Sequence, residues 1–193
     1  MEERDKMEYD VFIKGKLIDL VCLSEEIVEK SNWYKWFNDE EITQDTQHHC
    51  FPNTKSMQLD FYKNQIENNK RKLQLGIVHK QDNKLIGMVS LNSIDFLNQK
   101  CELSAITGEK KYQSFRYATE ACQLIIKHAF DNLNMNKIWG GTLRKEIAEW
   151  CCRVLGFKEE GIKRKEVYKN GDFRDTYIYG LLREDFYARG GTK

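Results

Sequence analysis

The chain has 193 residues, of which 40% are hydrophobic and 12% aromatic, a composition that indicates a folded globular protein and excludes a disordered one. Its 31 basic and 30 acidic residues give a net charge of +1, without the basic excess that binding to nucleic acid or to an anionic membrane surface requires. No apolar run reaches the roughly 18 residues of a membrane span. The first residues, MEERDK, are charged and have no apolar region behind them, so we expect no signal peptide and a cytoplasmic location.

The N-terminal part of the sequence predicts one strand and two helices. Residues 17–23 (LIDLVCL) are typical of a strand. Ser24 follows, with two acidic residues behind it, and is expected to cap a helix. An aromatic segment (WYKWF, 33–37) and a loop around Pro52 come next, and Thr54 is expected to cap a second helix that ends near Asn69.

The rest of the chain alternates between strands and helices. The predicted strands are 73–79, 85–92, 101–107, 137–143, 162–169 and 173–182, and the last two form a hairpin across Asn170-Gly171, a favoured tight-turn pair. A long helix is predicted at 117–133 from its apolar stripe. Another is predicted at 146–155, ending at Gly156. The order β-α-α-β-β-β-α-β-α-β-β indicates an α/β fold, in which helices cover the faces of a mixed sheet, and the chain shows no linker that would divide it into domains.

The junction before the long helix is the first candidate site. Residues 113–118 (QSFRYA) lead from a strand into a helix N-terminus, where unpaired N–H groups and the helix dipole favour anions such as a pyrophosphate. The alternative is an ordinary helix start that binds nothing. This loop alone does not decide between the two.

The sequence resembles the GNAT superfamily of acetyl-CoA-dependent N-acetyltransferases, and in particular the branch of ribosomal-protein alanine, spermidine and sugar-nucleotide acetyltransferases. The resemblance covers residues 16–187 and rests on the element order and four segments. These segments are WYKWFNDEEIT (33–43), LIGMVSL (85–91), KYQSFRYATEA (111–121) and the stretch from LGF to REDF (155–186). It implies one GNAT domain over 1–193, whose central twisted sheet is mixed, mostly antiparallel, flanked by helices and splayed at the acetyl-CoA site. It also implies a homodimer.

The resemblance assigns acetyl-CoA to the splay between strands 103–107 and 137–143 and to the loop that follows the first of them. The residues implied to bind it are Leu103, Ser104, Ala105, Ile106, Gln113, Ser114, Phe115, Arg116, Tyr117, Ala118, Thr119 and Lys145. Arg116 stands where the family has a glycine. With helical backbone angles its side chain adds a charge-assisted phosphate contact; otherwise it blocks the close backbone approach that glycine allows.

Two residues are candidates for proton transfer. Glu102 lies in the apolar strand CELSAI and matches a family glutamate that acts as base, while Asp95 and Glu109 are weaker choices. Its alternative is an outward-facing strand carboxylate. Cys152 aligns with the tyrosine that acts as general acid in the family, and a thiol of pKa near ~8.5 can protonate a thiolate. The alternative is that Cys152 is a small cysteine of the core.

The acceptor is expected to be a small-molecule amine. The resemblance favours a nucleotide-linked amino sugar, bound by Trp36, His48, His49 and Phe51, although Trp36 belongs to an aromatic segment in which at least two of Trp33, Trp36 and Phe37 are expected in the core. A protein N-terminus, a polyamine, or a GNAT-fold binding module without turnover remain the alternatives. No metal site is predicted, because no C-x-x-C pair occurs and His48 and His49 lack a convincing carboxylate partner. The six cysteines are expected to be reduced.

Overall fold

The structure is a computed structural model that describes residues 7–46 and 50–190. Its strands form one sheet in the order β1-β2-β3-β4-β5-β6-β8-β7, in which β5 and β6 are parallel and the other neighbours antiparallel. The strands are β1 (Val11–Lys14), β2 (Ile18–Val21), β3 (Leu73–His79), β4 (Lys84–Asp95), β5 (Lys100–Thr107), β6 (Lys137–Thr142), β7 (Lys158–Lys169) and β8 (Asp172–Leu182). This mixed, mostly antiparallel sheet confirms the predicted fold class.

Helices cover both faces of the sheet. They are α1 (Glu25–Lys30), α2 (Trp33–Trp36), α3 (Glu40–Thr43), α4 (Lys55–Phe61), α5 (Phe115–Asp131), α6 (Lys145–Trp150) and α7 (Arg183–Ala188), with π-helical turns after α4 (Tyr62–Ile66) and α6 (Cys151–Leu155) and a 3-10 turn before α5 (Lys110–Tyr112). In the described ranges, none of the helices combines the length and apolar character needed to cross a bilayer.

Two hydrophobic clusters hold the layers together, one on each face of the sheet. On the face we call the α5 face, the buried side of α5, including Ala121 and Ile125, packs on inward residues of β3 to β6 such as Leu103. On the opposite face, which we call the α1–α4 face, Trp33 and Trp36 pack with residues that include Val78 and Met88. Alternation along each strand therefore decides which of the two faces a side chain joins.

The element boundaries agree with the prediction where capping and turn residues set them. The Ser24 and Thr54 side chains accept hydrogen bonds from first-turn amides of α1 and α4. Helix α6 and its π-turn end at Gly156, in the left-handed region at φ 88°. The hairpin turns at Asn170 and Gly171, with φ of 52° and 86°, as a tight turn between antiparallel strands requires.

The structure adds the short helices α2, α3 and α7 to those predicted, and it corrects the prediction at three further elements. Strand β1 was not predicted, because it is a short, exposed edge strand without an alternating pattern. The second helix does not run unbroken to Asn69: α4 ends at Phe61 and widens into a π-turn, where the Tyr62 hydroxyl donates to the Leu23 carbonyl at 3.2 Å. Strand β7 begins at Lys158, four residues earlier than predicted, because its exposed and charged first half shows no hydrophobic period.

Candidate active site

A gap opens in the sheet between β5 and β6. These parallel strands pair only at Lys100–Lys137, Cys101–Ile138 and Glu102–Trp139, whereas β5 continues to pair with β4 on its other side as far as Thr107. Beyond Glu102, the β6-facing backbone of β5 therefore has no ladder partner in the described chain. Free backbone N–H groups on such an edge can hold a carbonyl oxygen.

The four residues predicted to line this gap, 103–106, differ in the exposure of their side chains. Leu103 is buried on the α5 face, so only its backbone is available at the gap. Ser104 and Ala105 are exposed, and Ile106 is half-buried against the cluster on the α1–α4 face. The segment thus presents an unpaired backbone edge whose exposed side chains, those of Ser104 and Ala105, are small.

The N-terminus of α5 is left open toward solvent. Its N-cap residue Ser114 makes no side-chain capping bond, and its first turn holds no acidic residue. In contrast, α1, α3 and α4 are capped by Ser24, Asp39 and Thr54. Because the first amides of a helix have no partner within it, the start of α5 keeps its capacity to bind an anion. Gln113, which precedes the cap, is exposed as well.

Arg116 does not fill the loop where the family has glycine. It lies within α5, so it has helical backbone angles and needs no glycine conformation. Its guanidinium carbon is 4.5 Å from the centre of the Tyr117 ring, and Nη2 donates to the Tyr117 hydroxyl. The side chain is thus folded along its own helix, with a positive charge held beside the open N-terminus.

Tyr117 belongs to the core and not to the surface of the loop. It is 5% exposed, so its side chain cannot contact a ligand as predicted, although its backbone can. Its hydroxyl lies 3.2 Å from His79 Nε2, and His79 Nδ1 lies 3.1 Å from Asp82 Oδ2. Tyr112 also donates to Asp82, and this hydrogen bond raises the pKa of Tyr112 to about 12. A polar chain therefore ties the loop to the β3–β4 turn.

The helix surface beside this loop comes from α6. The exposed Phe115 ring lies 5.3 Å from the ring of Trp150. Lys145, predicted to contact the coenzyme, is exposed at the start of α6 and lies 3.6 Å from Glu149. Ala118 and Thr119 are half-buried one turn into α5.

Glu102 is the last β5 residue that pairs with β6, so it stands at the apex of the gap. Cys101 and Leu103 are buried on the α5 face, which places Glu102 on the α1–α4 face. Burial raises the pKa of Glu102 above its ordinary value, and the charges of Lys163 and Lys72 oppose this to a smaller extent. A carboxylate with raised proton affinity suits a general base.

Polar residues that the sequence analysis missed surround Glu102. Asn92 pairs directly with Glu102, and Ser90 pairs with Ser104. The Asn92 amide nitrogen donates to both serine hydroxyls at 3.2 Å, while its buried Oδ1 has no hydrogen-bond partner within the described ranges. The signal was present in VSLNS (89–93), since alternation places Ser90 and Asn92 on one face.

Of the remaining proton-transfer candidates, Cys152 keeps a free thiol proton, whereas Asp95 and Glu109 are engaged in structural contacts. Cys152 is half-buried in the π-turn after α6, and burial raises the pKa of its thiol, as do Glu159 and Glu149, so it carries a proton at neutral pH. Asp95 caps its own turn by accepting from Leu97 and Asn98. Glu109 is engaged by Lys84 and by the Trp36 indole. We therefore set the last two carboxylates aside as structural.

The predicted acceptor residues fall in different places. Trp36 is 3% exposed and packs in the core, so its ring offers almost no surface to a substrate. This corrects its predicted role, and Gly108 is the reason, because it lets the indole lie directly against the backbone. Phe51 is 82% exposed. His48 and His49 lie outside the described residues, so their predicted role stays a prediction.

Comparison with known proteins identifies relatives. Residues 25–157 match the family model described as Acetyltransferase (GNAT) domain. A protein of Bacillus subtilis (strain 168) that carries the name ribosomal N-acetyltransferase YdaF is 30% identical over 115 residues, 59% of this chain. Spermidine N(1)-acetyltransferase of Escherichia coli (strain K12) is 28% identical over 112 residues, 58% of this chain. The matches span only 61% and 60% of the length of these two curated relatives.

Solved structures share the fold over most of the chain. Spermidine N-acetyltransferase from Vibrio cholerae, in complex with CoA and spermine, superposes with a TM-score of 0.79 at 20% identity, covering 90% of this chain and 99% of that one. The microcin C7 self-immunity acetyltransferase MccE, in complex with acetyl-CoA and AMP, gives a TM-score of 0.74 at 22% identity, covering 87% and 93%. At such identities the likeness establishes the fold alone.

Proposed function

The chain belongs to the GNAT acetyltransferase family, and on that premise we propose that it transfers the acetyl group of acetyl-CoA to a primary amine, with the α-amine of a peptide as acceptor. One observation carries the proposal: the β5–β6 pairing stops at Glu102, and the unpaired edge of β5 that begins there leads along the chain to the uncapped N-terminus of α5. A thioester needs an oxyanion donor, its coenzyme needs an anion site, and the amine needs a base. Residues 102–118 offer a candidate for each of these three requirements.

The reaction is a direct transfer. The amine nitrogen attacks the thioester carbon, forming a C–N bond, and the C–S bond then breaks to release the thiolate. Backbone N–H groups at residues 104–106 stabilise the oxyanion. Before the attack, Glu102 takes a proton from the α-ammonium form of the acceptor, of pKa near ~8, because that form is no nucleophile. The thiol of Cys152 gives its proton to the leaving thiolate, and the Cys152 thiolate then takes up the second proton, which the nitrogen loses as the amide forms.

The choice of acceptor rests on relatives and charge. The relatives' names point to ribosomal or polyamine acetylation, and not to an amino-sugar nucleotide. Lys72 and Lys163 bring positive charge close to Glu102. A polyamine is itself positively charged, so these lysines would repel it. We therefore place the peptide α-amine first and the polyamine second.

The test is release of free thiol from acetyl-CoA by the purified chain. The acceptor panel contains a short peptide with a free α-amine, spermidine, and a nucleotide-linked amino sugar. We expect turnover with the peptide, absent when its α-amine is blocked. Faster turnover with spermidine would favour the polyamine acceptor. Binding of acetyl-CoA without turnover of any amine would favour a binding module instead.

A further inference from the structure

Three polar residues lie in one row, one directly before β3 and the others on β4 and β5, and only one of them has a role in the proposed reaction. Asn92 pairs with Glu102 on β5. On its other side, Leu73 is the first residue of β3 and pairs with Leu91, and Lys72 directly precedes it, at the end of β3 that lies beside Asn92. Since Leu73 and Leu91 belong to the α5 face, Lys72, Asn92 and Glu102 share the α1–α4 face.

Lys72 is unusual because it is partly buried and forms no salt bridge within the described residues. It is half-buried, with its Nζ 5.0 Å from the centre of the Phe61 ring. No carboxylate of residues 7–46 and 50–190 forms an ion pair with it. Burial lowers the pKa of Lys72, and Glu102 only partly offsets this. A half-buried ammonium without a salt bridge carries a desolvation cost that an anionic ligand would offset.

Asn92 offers the complementary group. Its amide nitrogen is committed to Ser90 and Ser104, which leaves Oδ1 buried and without a partner in the described chain. Asn92 is the strand partner of Glu102, and an amide oxygen can accept a hydrogen bond from an amine. A bulge follows directly, between Asn92 and Asp95, with Ser93 at φ 50°. Such bulges re-aim neighbouring side chains.

From this row we propose that the acceptor carries an anionic group, a carboxylate or a phosphate, close to its amine. The proposal rests on the proposed function. The amine lies between Glu102 and Asn92 Oδ1, and the anion lies on Lys72. Residues Lys72 and Glu102 are two strands apart, about 10 Å between backbones, and the lysine side chain spans part of that distance. A peptide with an acidic second residue meets this spacing.

The same row argues against polycations. Spermidine would bring its second ammonium toward Lys72. Lys163 adds a further positive charge near Glu102, although the Lys163 Nζ also lies 2.8 Å from Glu166 Oε1. Like charges in a partly desolvated site repel. The chain therefore differs in acceptor charge from its spermidine-acetylating relatives.

The experiment compares kcat/KM for acetylation of the α-amine in amidated peptides that differ only at the second residue, with the acetylated position located by mass spectrometry so that a lysine ε-amine is not counted. The peptides are Ser-Glu-Ala-Phe, Ser-Gln-Ala-Phe and Ser-Lys-Ala-Phe, and a fourth with phosphoserine at that place separates carboxylate from phosphate. We expect the Glu peptide to exceed the Gln peptide by ~5- to 30-fold, the effect of one fully formed charged contact, and the Lys peptide to be the poorest. Equal rates for Glu and Gln peptides would overturn the proposal.

Variants assign the preference to Lys72. In Lys72→Met, which keeps the contact with Phe61, the Glu-to-Gln ratio should fall to about one; in Lys72→Glu, it should invert in favour of the Lys peptide. Lys70→Met, an exposed lysine two residues away, is the matched control and should keep the wild-type ratio. A ratio unchanged in Lys72→Met would overturn the assignment. Because ratios within one variant are compared, partial loss of folded protein does not affect the result. Absence of turnover with every amine would instead overturn the proposed function itself.

Discussion

Replacing Glu102 by Gln removes the proposed base while keeping the side chain's shape. Glu102 is half-buried at the apex of the β5–β6 gap, and burial raises its pKa. A positioned general base contributes typically ~10²- to 10⁴-fold, which corresponds to roughly 3–5.5 kcal/mol of transition-state stabilisation. We therefore expect kcat to fall by about that factor, with little change in the KM for acetyl-CoA.

The pH dependence gives a second readout of the same variant. The base must be ionised, so kcat/KM of the wild type should fall as the pH drops through the Glu102 pKa. Because that pKa is raised, the acid limb should lie above the ordinary glutamate value of 4.5. In Glu102→Gln this limb should be absent from the residual rate.

Stability should move in the opposite direction. A carboxyl whose folded-state pKa is raised binds its proton more tightly in the folded state, so folding stability is lost as the pH rises through that pKa. At neutral pH the ionised Glu102 is destabilising, and Glu102→Gln should have a Tm equal to or above that of the wild type. Thermal unfolding at two pH values measures this, with Glu184→Gln on the exposed surface of α7 as control. A kcat within about threefold of wild type, or a Tm several degrees lower, would refute the reasoning.

Three further variants test separate parts of the site. Gly108→Ala would place a Cβ 1.8 Å from Cδ2 of the buried Trp36, so overpacking should destabilise the fold by about 1–3 kcal/mol and lower Tm by roughly 2–12 °C; an unchanged Tm would contradict this. Arg116→Gly should weaken acetyl-CoA binding in a titration by ~5- to 30-fold, because one charged contact with a phosphate is lost. Tighter binding would instead mean that the arginine obstructs the loop. Cys152→Ala should lower kcat by ~10²-fold. The matched control is Cys151→Ala, at a buried thiol with a pKa of about 11, which should lower Tm but leave kcat unchanged. Equal kcat in both variants would show that Cys152 takes no part in the mechanism.

Much of the fold is encoded locally and can be read without a structure. Caps at Ser24 and Thr54, the Asn170-Gly171 turn and the stop at Gly156 act through their own backbone geometry. Strand β1 could not be predicted in this way, because an exposed edge strand is fixed by its pairing with β2 and not by a pattern of its own.

The candidate site shows the same division. Glu102 and the α5 N-terminus were found from their local sequence context and the family resemblance. Asn92 and Lys72 were not, because Asn92 joins Glu102 through the register of β4 and β5 and Lys72 through its place before the first residue of β3, and a single sequence does not specify how these strands pair. The burial of Trp36 likewise depends on a contact with Gly108 that is 72 residues away in sequence, and Tyr117 is buried by partners on β3.

The central claim is that acetyl-CoA binds in the β5–β6 gap against the open start of α5, and calorimetric titration tests it most directly. The wild type should bind acetyl-CoA with micromolar affinity. Phe115→Asp, which adds a negative charge at an exposed first-turn position, should bind at least about tenfold more weakly than the neutral control Phe115→Ser. Micromolar binding that is equal in the two variants would contradict the placement of the coenzyme, and no binding by the wild type would contradict the account as a whole.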